Sequence, residues 1–170
     1  MKNINGYIWT LIVALLVSCT ESVKNAEKVE RLPDIYPDYI GVTIPAGIAP
    51  MDFNVEENDC VKVDVIAKGS KQGEIHIQGE WAEWDVDEWH ELTRQNIGGS
   101  IDITVRVKTE DGQWKEYRTF KMYVSQYPLD DFGITYRRIQ PGYEVGGNIG
   151  IYQRDIHSFD EYPMMTETAL

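Results

Sequence analysis

The sequence predicts an all-β protein: an immunoglobulin- or fibronectin type III-like β-sandwich with one short helix, followed by a partial strand-containing tail. Short runs in which apolar and polar residues alternate recur between residues 39 and 127, with glycine-containing loops between them. This pattern is typical of half-buried antiparallel strands. About seven such strands over ~90 residues match the size of a sandwich module of that kind.

The first strands are predicted from three alternating runs. Their apolar positions are Ile40, Val42 and Ile44 before Pro45; Val61, Val63 and Val65, separated by Lys62 and Asp64; and Ile75 and Ile77 after the Gly69–Gly73 loop. Period-2 alternation places these apolar side chains on one face of a sheet and the polar ones on the other.

A hairpin centred on Asp111-Gly112 is the strongest local prediction. Asp-Gly favours a type I′ turn, which requires positive φ at both central positions. That turn would place Ile103 opposite Phe120 and Ile101 opposite Met122, with all four side chains facing inward. The same register sets Asp102 opposite Lys121 and Arg106 opposite Tyr117, and it places Tyr117 and Tyr123 on the outer face.

A short helix is predicted between Asp85 and Gln95. Asp85 is a suitable N-cap, acidic residues fill the first turn, Arg94 lies in the last, and Gly98-Gly99 follows. Val86, Trp89 and Leu92 fall on one helical face, which indicates that the helix packs on the sheet.

The first 19 residues indicate export. A start with Lys2, an apolar run from Ile8 to Val17 and then Ser18-Cys19 are typical of a secretory signal. Leu16–Cys19 resembles a bacterial lipobox, which predicts cleavage after residue 18 and lipidation of Cys19, for example with palmitate. Two acyl chains anchor a protein stably. We therefore expect a cell-envelope lipoprotein, on the periplasmic or surface face of the outer membrane.

Four segments follow from these patterns: a signal peptide over 1–18, a tether over 19–38, the β-sandwich domain over 39–127, and the start of a truncated propeller-like region over 128–170. The tether is polar and ends with Pro33 and Pro37. The last segment contains two strand-like runs, Ile134–Ile139 and Ile149–Tyr152, which cannot bury a core of their own. We expect Tyr136, Ile139, Ile151 and Tyr152 to be partly exposed.

Composition argues against several partners. The 170-residue chain has 28 acidic and 16 basic residues and a net charge of −12, which disfavours nucleic acid and anionic headgroups. If Cys19 carries lipid, Cys60 has no partner within the chain and is expected to be a buried, inert thiol. No Ser, Cys or carboxylate constellation predicts an enzyme.

Trp81, Trp84 and Trp89 are the candidate ligand-binding residues. Exposed, they would form a stacking platform for sugar rings. The alternative is that Trp84 and Trp89 pack in the core of the sandwich. Nearby, Asp85, Asp87, Glu88, His90 and Glu91 could gather a divalent cation, but they lack the glycine of a calcium loop, and a solvated acidic helix start explains the same residues. We predict no metal site.

Three segments resemble a family of Gram-negative lipoproteins labelled TolB-like β-propeller proteins and sometimes cytochrome c biosynthesis proteins. The segments are Tyr136–Tyr143, Ile149–Phe159 and Ile44–Phe53. The resemblance implies a lipidated N-terminus, a β-sandwich, a β-propeller, and a Cys-x-x-Cys-His haem-attachment motif after the Gln153–Asp155 segment. This chain contains no such motif and no propeller repeats, so haem c is expected only in a longer family member.

These observations lead to a non-catalytic, membrane-anchored module that spaces or docks a partner protein or propeller domain. Two alternatives stay open at this point: a carbohydrate-binding module that uses the tryptophan cluster, and a fragment of a haem-c electron-transfer lipoprotein. A glycan ligand belongs to the first of these. Solvent exposure of the three tryptophans distinguishes the docking module from the sugar binder.

Overall fold

The computed structural model describes residues 23, 25–127, 129, 133–139 and 150–166. Twelve strands and one helix occur in this part of the chain. In order they are β1 (Glu27–Val29), β2 (Ile35–Tyr36), β3 (Thr43–Ile44), β4 (Asn54–Val55), β5 (Cys60–Gly69), β6 (Glu74–Gly79), α1 (Val86–Gln95), β7 (Ser100–Thr109), β8 (Trp114–Tyr117), β9 (Phe120–Val124), β10 (Gly133–Arg138), β11 (Gly150–Asp155) and β12 (Glu161–Thr166).

Within the described residues, seven strands form one large sheet. Its order is β1-β8-β7-β5-β6, and β9 also pairs with β7 and carries β3 at its other side. The long central strands β5 and β7 are antiparallel, whereas β1 joins β8 and β3 joins β9 in parallel. A two-stranded sheet (β2-β4) and a three-stranded sheet (β10-β11-β12) complete the strands. The protein is mostly β-strand with several sheets, which is compatible with the predicted all-β class. The predicted immunoglobulin- or fibronectin type III-like identity is not confirmed.

The core lies on one face of the large sheet, beneath α1. Every second residue of β7 from Ile101 to Thr109 is buried, and Val63, Val65 and Ala67 of β5 are fully buried beside them. Trp89 and Leu92 of α1, with Phe53 and Ile35, join the same cluster. Fully burying an aliphatic side chain of this size contributes roughly 1.5–3 kcal/mol, so this face supplies most of the driving force.

The predicted helix and its N-cap are confirmed. Asp85 Oδ1 accepts hydrogen bonds from the backbone N–H groups of Asp87 and Glu88, both at 3.0 Å. At the other end, buried Asn96 donates to the carbonyls of Leu92 and Gln72 at 2.7 Å. These bonds satisfy backbone groups that a helix end leaves free, and they tie α1 to the β5–β6 loop.

The core pairs of the predicted hairpin are confirmed. Ile103 lies opposite Phe120 and Ile101 opposite Met122, and all four side chains are buried. On the other face Asp102 lies opposite Lys121, and the two side chains form an ion pair. The alternation of the two strands therefore fixed the register where one face is buried.

The predicted turn and outer pair are wrong. Thr109 N–H donates to the Gln113 carbonyl at 2.9 Å, which leaves a three-residue loop. Only Gly112 in that loop has positive φ, at 83°, as in a type I turn followed by a glycine bulge. Arg106 consequently pairs with Glu116 rather than Tyr117, and Tyr117 faces the core at 3% exposure. One irregular residue between β8 and β9 restores the register.

Strands occur in two segments where the sequence did not predict them. Within the segment expected to be a tether, β1 pairs with β8 and β2 pairs with β4, so chain before Tyr39 contributes to the fold. In the tail, β12 is a third strand that the sequence did not predict, because Pro163 argues against a strand interior. Pro163 lies opposite Tyr152 on an edge strand, beside a register shift.

Candidate functional site

The three candidate tryptophans occupy different environments. Trp84 and Trp89 stack with ring centroids 5.5 Å apart, and they are 3% and 0% exposed. Trp84 Nε1 also donates to the Met51 carbonyl at 3.1 Å. Both therefore belong to the core, as the packing alternative predicted. Trp81 is 41% exposed, so it alone of the three presents a ring to solvent.

The acidic start of α1 does not gather ligands around a common point. His90 is turned inward and its Nε2 lies 2.8 Å from the His157 carbonyl, away from the carboxylates of the first turn. Among the residues that the structure describes, no three His, Cys, Asp or Glu side chains are arranged to hold a metal ion. The acids of the first turn favour the helix through its dipole.

A buried carboxylate is the centre of a polar cluster on the other face of the large sheet. Asp64 on β5 is fully buried. Its Oδ1 lies 2.6 Å from His76 Nε2 and 2.6 Å from Gln78 Nε2, and its Oδ2 accepts from Arg106 at 3.0 Å. Arg106 Nε also donates to Glu116 at 2.7 Å. Strand register places these residues side by side across β6, β5, β7 and β8.

Within the described residues, this Asp64 cluster does not include the nucleophile that a hydrolytic triad needs. A carboxylate–histidine pair becomes a general base only when the imidazole reaches a nucleophile. In the described residues, the His76 ring has no hydrogen bond to a hydroxyl or thiol, and its Nε2 is occupied by Asp64. Sequence analysis missed the cluster because Asp64 alternates with valines as a surface residue does. Once the strand register is known, the opposite charges of Asp64 and Arg106, with His76 beside them, would indicate the cluster.

A second charged cluster fixes the N-terminal segment. Arg31 forms an ion pair with Glu57, and its guanidinium lies 5.0 Å from the centre of the Tyr117 ring. Burial, followed by the hydrogen bond to Glu57, raises the pKa of Tyr117 to about 12. The cluster therefore holds the residues next to β1 against the large sheet.

At least three contacts between described residues hold the C-terminal sheet against the core domain. The Ala49 N–H donates to the Ile156 carbonyl at 2.9 Å, and His157 Nδ1 lies 2.6 Å from the Gly47 carbonyl. The third is the His90–His157 contact described above. We call Ile156–His157, with Gly47, Ala49 and His90, the clasp. It gives the tail a fixed attachment that the sequence did not predict.

The C-terminal sheet presents apolar side chains to solvent. Ile151, Tyr162 and Met165 share one face by register and are 39%, 56% and 53% exposed. On the other face, Tyr152 is buried beneath Tyr136 and Arg138. The expected exposure of Ile139 and Ile151 is confirmed, whereas Tyr152 differs because neighbouring aromatic and guanidinium groups cover it.

The two cysteines lie in different parts of the chain. Cys19, the predicted lipidation site, lies outside the described residues. Cys60 is a half-buried free cysteine, and burial raises the pKa of its thiol, which disfavours the reactive thiolate. Covalent haem attachment needs a Cys-x-x-Cys-His motif, and the two cysteines of this sequence do not provide it. In the described part of the chain, no helix is long and apolar enough to cross a membrane.

Comparison with known proteins does not assign this chain to a family. No family model, no curated protein and no solved structure matches this chain.

Proposed function

We propose that this protein is a non-catalytic, lipid-anchored module of the bacterial cell envelope that positions a partner domain. The proposal includes its finer parts: an immunoglobulin- or fibronectin type III-like module, lipid on Cys19, and attachment to the outer membrane. The resemblance to TolB-like lipoproteins supports these parts, and the partner it implies is a β-rich, propeller-type domain.

The clasped C-terminal sheet is the observation that carries this proposal. Its face with Ile151, Tyr162 and Met165 is exposed, and an exposed apolar patch is typical of an interaction surface. The hydrogen bonds of the clasp join this sheet to the loop with Gly47 and Ala49 and to His90 of α1, and they hold it in one position. A β-rich partner matches the surface because β10, which contains no proline, is an edge strand in the described residues, and edge strands accept further strands.

Photo-crosslinking in cells tests the docking surface. A photoreactive amino acid at Met165 or Tyr162 should give one and the same envelope-protein product, identified by mass spectrometry as β-rich. The same probe at Tyr123, which is 46% exposed on the large sheet, is the matched control and should not give it. Ile151→Asp should abolish the product. Equal products from Tyr123 and Met165, or no product from either C-terminal position, would contradict the proposal.

The anchor has its own test. In cells given labelled palmitate, the wild-type protein should carry label and sediment with membranes, and Cys19→Ala should lose both properties. Cys60→Ala is the matched control and should retain both. Unchanged labelling of Cys19→Ala would refute the lipid anchor without affecting the crosslinking result.

A further inference from the structure

A groove separates the start of β6 from helix α1 on the large sheet. It has a volume of about 410 Å³, which is within the roughly 300–1,000 Å³ range of small-ligand clefts. Its lining residues are Gly73, Glu74 and Ile75 on the strand side and Asp87, Glu88, Glu91, Leu92 and Gln95 on the helix side. We call this surface the edge groove.

The groove narrows at Gly73 and has an apolar floor. Gly73 lets the strand approach α1: a Cβ at this position would lie 2.7 Å from Gln95 Oε1 and 3.0 Å from Leu92 Cδ1. Ile75 and Leu92, 6% and 2% exposed, form the floor. This end of the groove therefore has a definite shape.

The helix wall is acidic. Asp87, Glu88 and Glu91 line it, and among the described residues no Lys or Arg does. Glu91 accepts a hydrogen bond from Gln95 at 2.6 Å, which leaves its charge uncompensated. The Glu74 side chain belongs to the opposite face, where it lies 4.0 Å from Lys68. Three carboxylates on one wall attract a cationic occupant.

The strand wall of the groove presents backbone N–H and C=O groups. The Gly73 carbonyl accepts from the Gly69 N–H at 2.9 Å, so Gly73 is turned towards β5. Because successive residues of a strand direct their N–H and C=O groups to opposite sides, those of Glu74 and His76 point away from β5. In the described residues no strand pairs with this side of β6. An added strand can pair there.

We propose that the edge groove binds an extended, basic segment of a partner protein, with Lys or Arg at alternate positions. The segment adds to β6 as an edge strand, and its cationic side chains face α1. Residues i and i+2 of a strand are about 6.7 Å apart. Asp87 and Glu91, four residues apart on a helix, are separated by about 6 Å along its axis. This surface is distinct from the C-terminal sheet, and the inference does not depend on the function proposed above.

Peptide binding tests this inference with the full chain. The probe is a labelled six-residue peptide that alternates lysine and valine, measured by fluorescence anisotropy at 50 mM and 300 mM salt. A peptide with three lysines followed by three valines has the same charge without the alternation. We expect the alternating peptide to bind more tightly, and we expect it to protect the Glu74 and His76 amides from hydrogen exchange.

Charge-neutralised variants locate the binding site. Glu88→Gln with Glu91→Gln should weaken binding of the alternating peptide about tenfold, which corresponds to about 1.4 kcal/mol shared between two surface charge pairs. Glu56→Gln with Glu110→Gln makes the same change in net charge at exposed positions outside the groove and should change binding less than twofold. Circular dichroism verifies that both variants fold. Equal weakening in both pairs, equal binding of the two peptides, or no protection at Glu74 would overturn the proposal.

Discussion

Replacing Asp64 by alanine should destabilise the protein by about 3 kcal/mol. The substitution removes a fully buried carboxylate that pairs with His76, Gln78 and Arg106. A hydrogen bond to a charged group is worth roughly 1.5–3 kcal/mol, and breaking a buried ion pair costs roughly 3–5 kcal/mol. The lower end of the range for a buried ion pair applies here because the His76 side chain is 40% exposed and reaches water. Arg106 also retains its ion pair with Glu116.

The assay is equilibrium unfolding in urea together with a thermal melt. A loss of 3 kcal/mol lowers the Tm by roughly 6–12 °C for a chain of this size. Asp102→Ala is the matched control, because Asp102 is on neighbouring β7 in an exposed ion pair with Lys121, with side chains 42% and 49% exposed. It should cost less than about 1 kcal/mol. If Asp64→Ala cost no more than Asp102→Ala, the buried-cluster argument would be refuted.

Three further predictions concern single side chains. Since the pKa of Tyr117 is raised from 10.0 to about 12, its contribution to stability is fully present below pH 10 and is lost as pH rises to 12. The urea midpoint of the Tyr117→Phe variant should therefore fall less than that of the wild-type protein between pH 10 and pH 12. The exposed control Tyr123→Phe should show the same fall as wild type. Gly112→Val should cost about 1–2 kcal/mol in urea unfolding because of the positive φ, and Gly112→Asn should cost less; equal losses would contradict this. Among described tryptophans, Trp81 should dominate acrylamide quenching, so Trp81→Phe should remove most of it; a glycan-induced shift lost in that variant would instead favour sugar binding.

Sequence patterns predicted the fold where one face of an element is buried. The alternation in β7 and β9 was enough to pair Ile103 with Phe120, and Asp85 was enough to start α1. The same patterns failed at the hairpin turn, where backbone geometry determines the length of the loop. A three-residue loop and one irregular residue after Tyr117 cancel each other, so the core register is the same with either turn. Short strands such as β2, with two residues, carry no period to detect.

The candidate sites were predicted less well. Sequence reasoning gave core packing of Trp84 and Trp89 as the alternative to ligand binding, but only tertiary packing decides between the two and leaves Trp81 exposed. Asp64 was assigned to solvent, since alternation describes the direction of a side chain but not which longer neighbours fold over it. The edge groove depends on the approach of Gly73 to α1, a long-range distance that no local pattern contains.

The clasp has a consequence for the order of folding. The His157–Gly47 contact joins residues 110 positions apart, and closing a flexible loop of that length costs about 4 kcal/mol of chain entropy. One hydrogen bond contributes only about 1 kcal/mol, so the clasp contacts must form together on a core domain that is already folded. During synthesis, we therefore expect the C-terminal sheet to attach after the strands and helix that receive it.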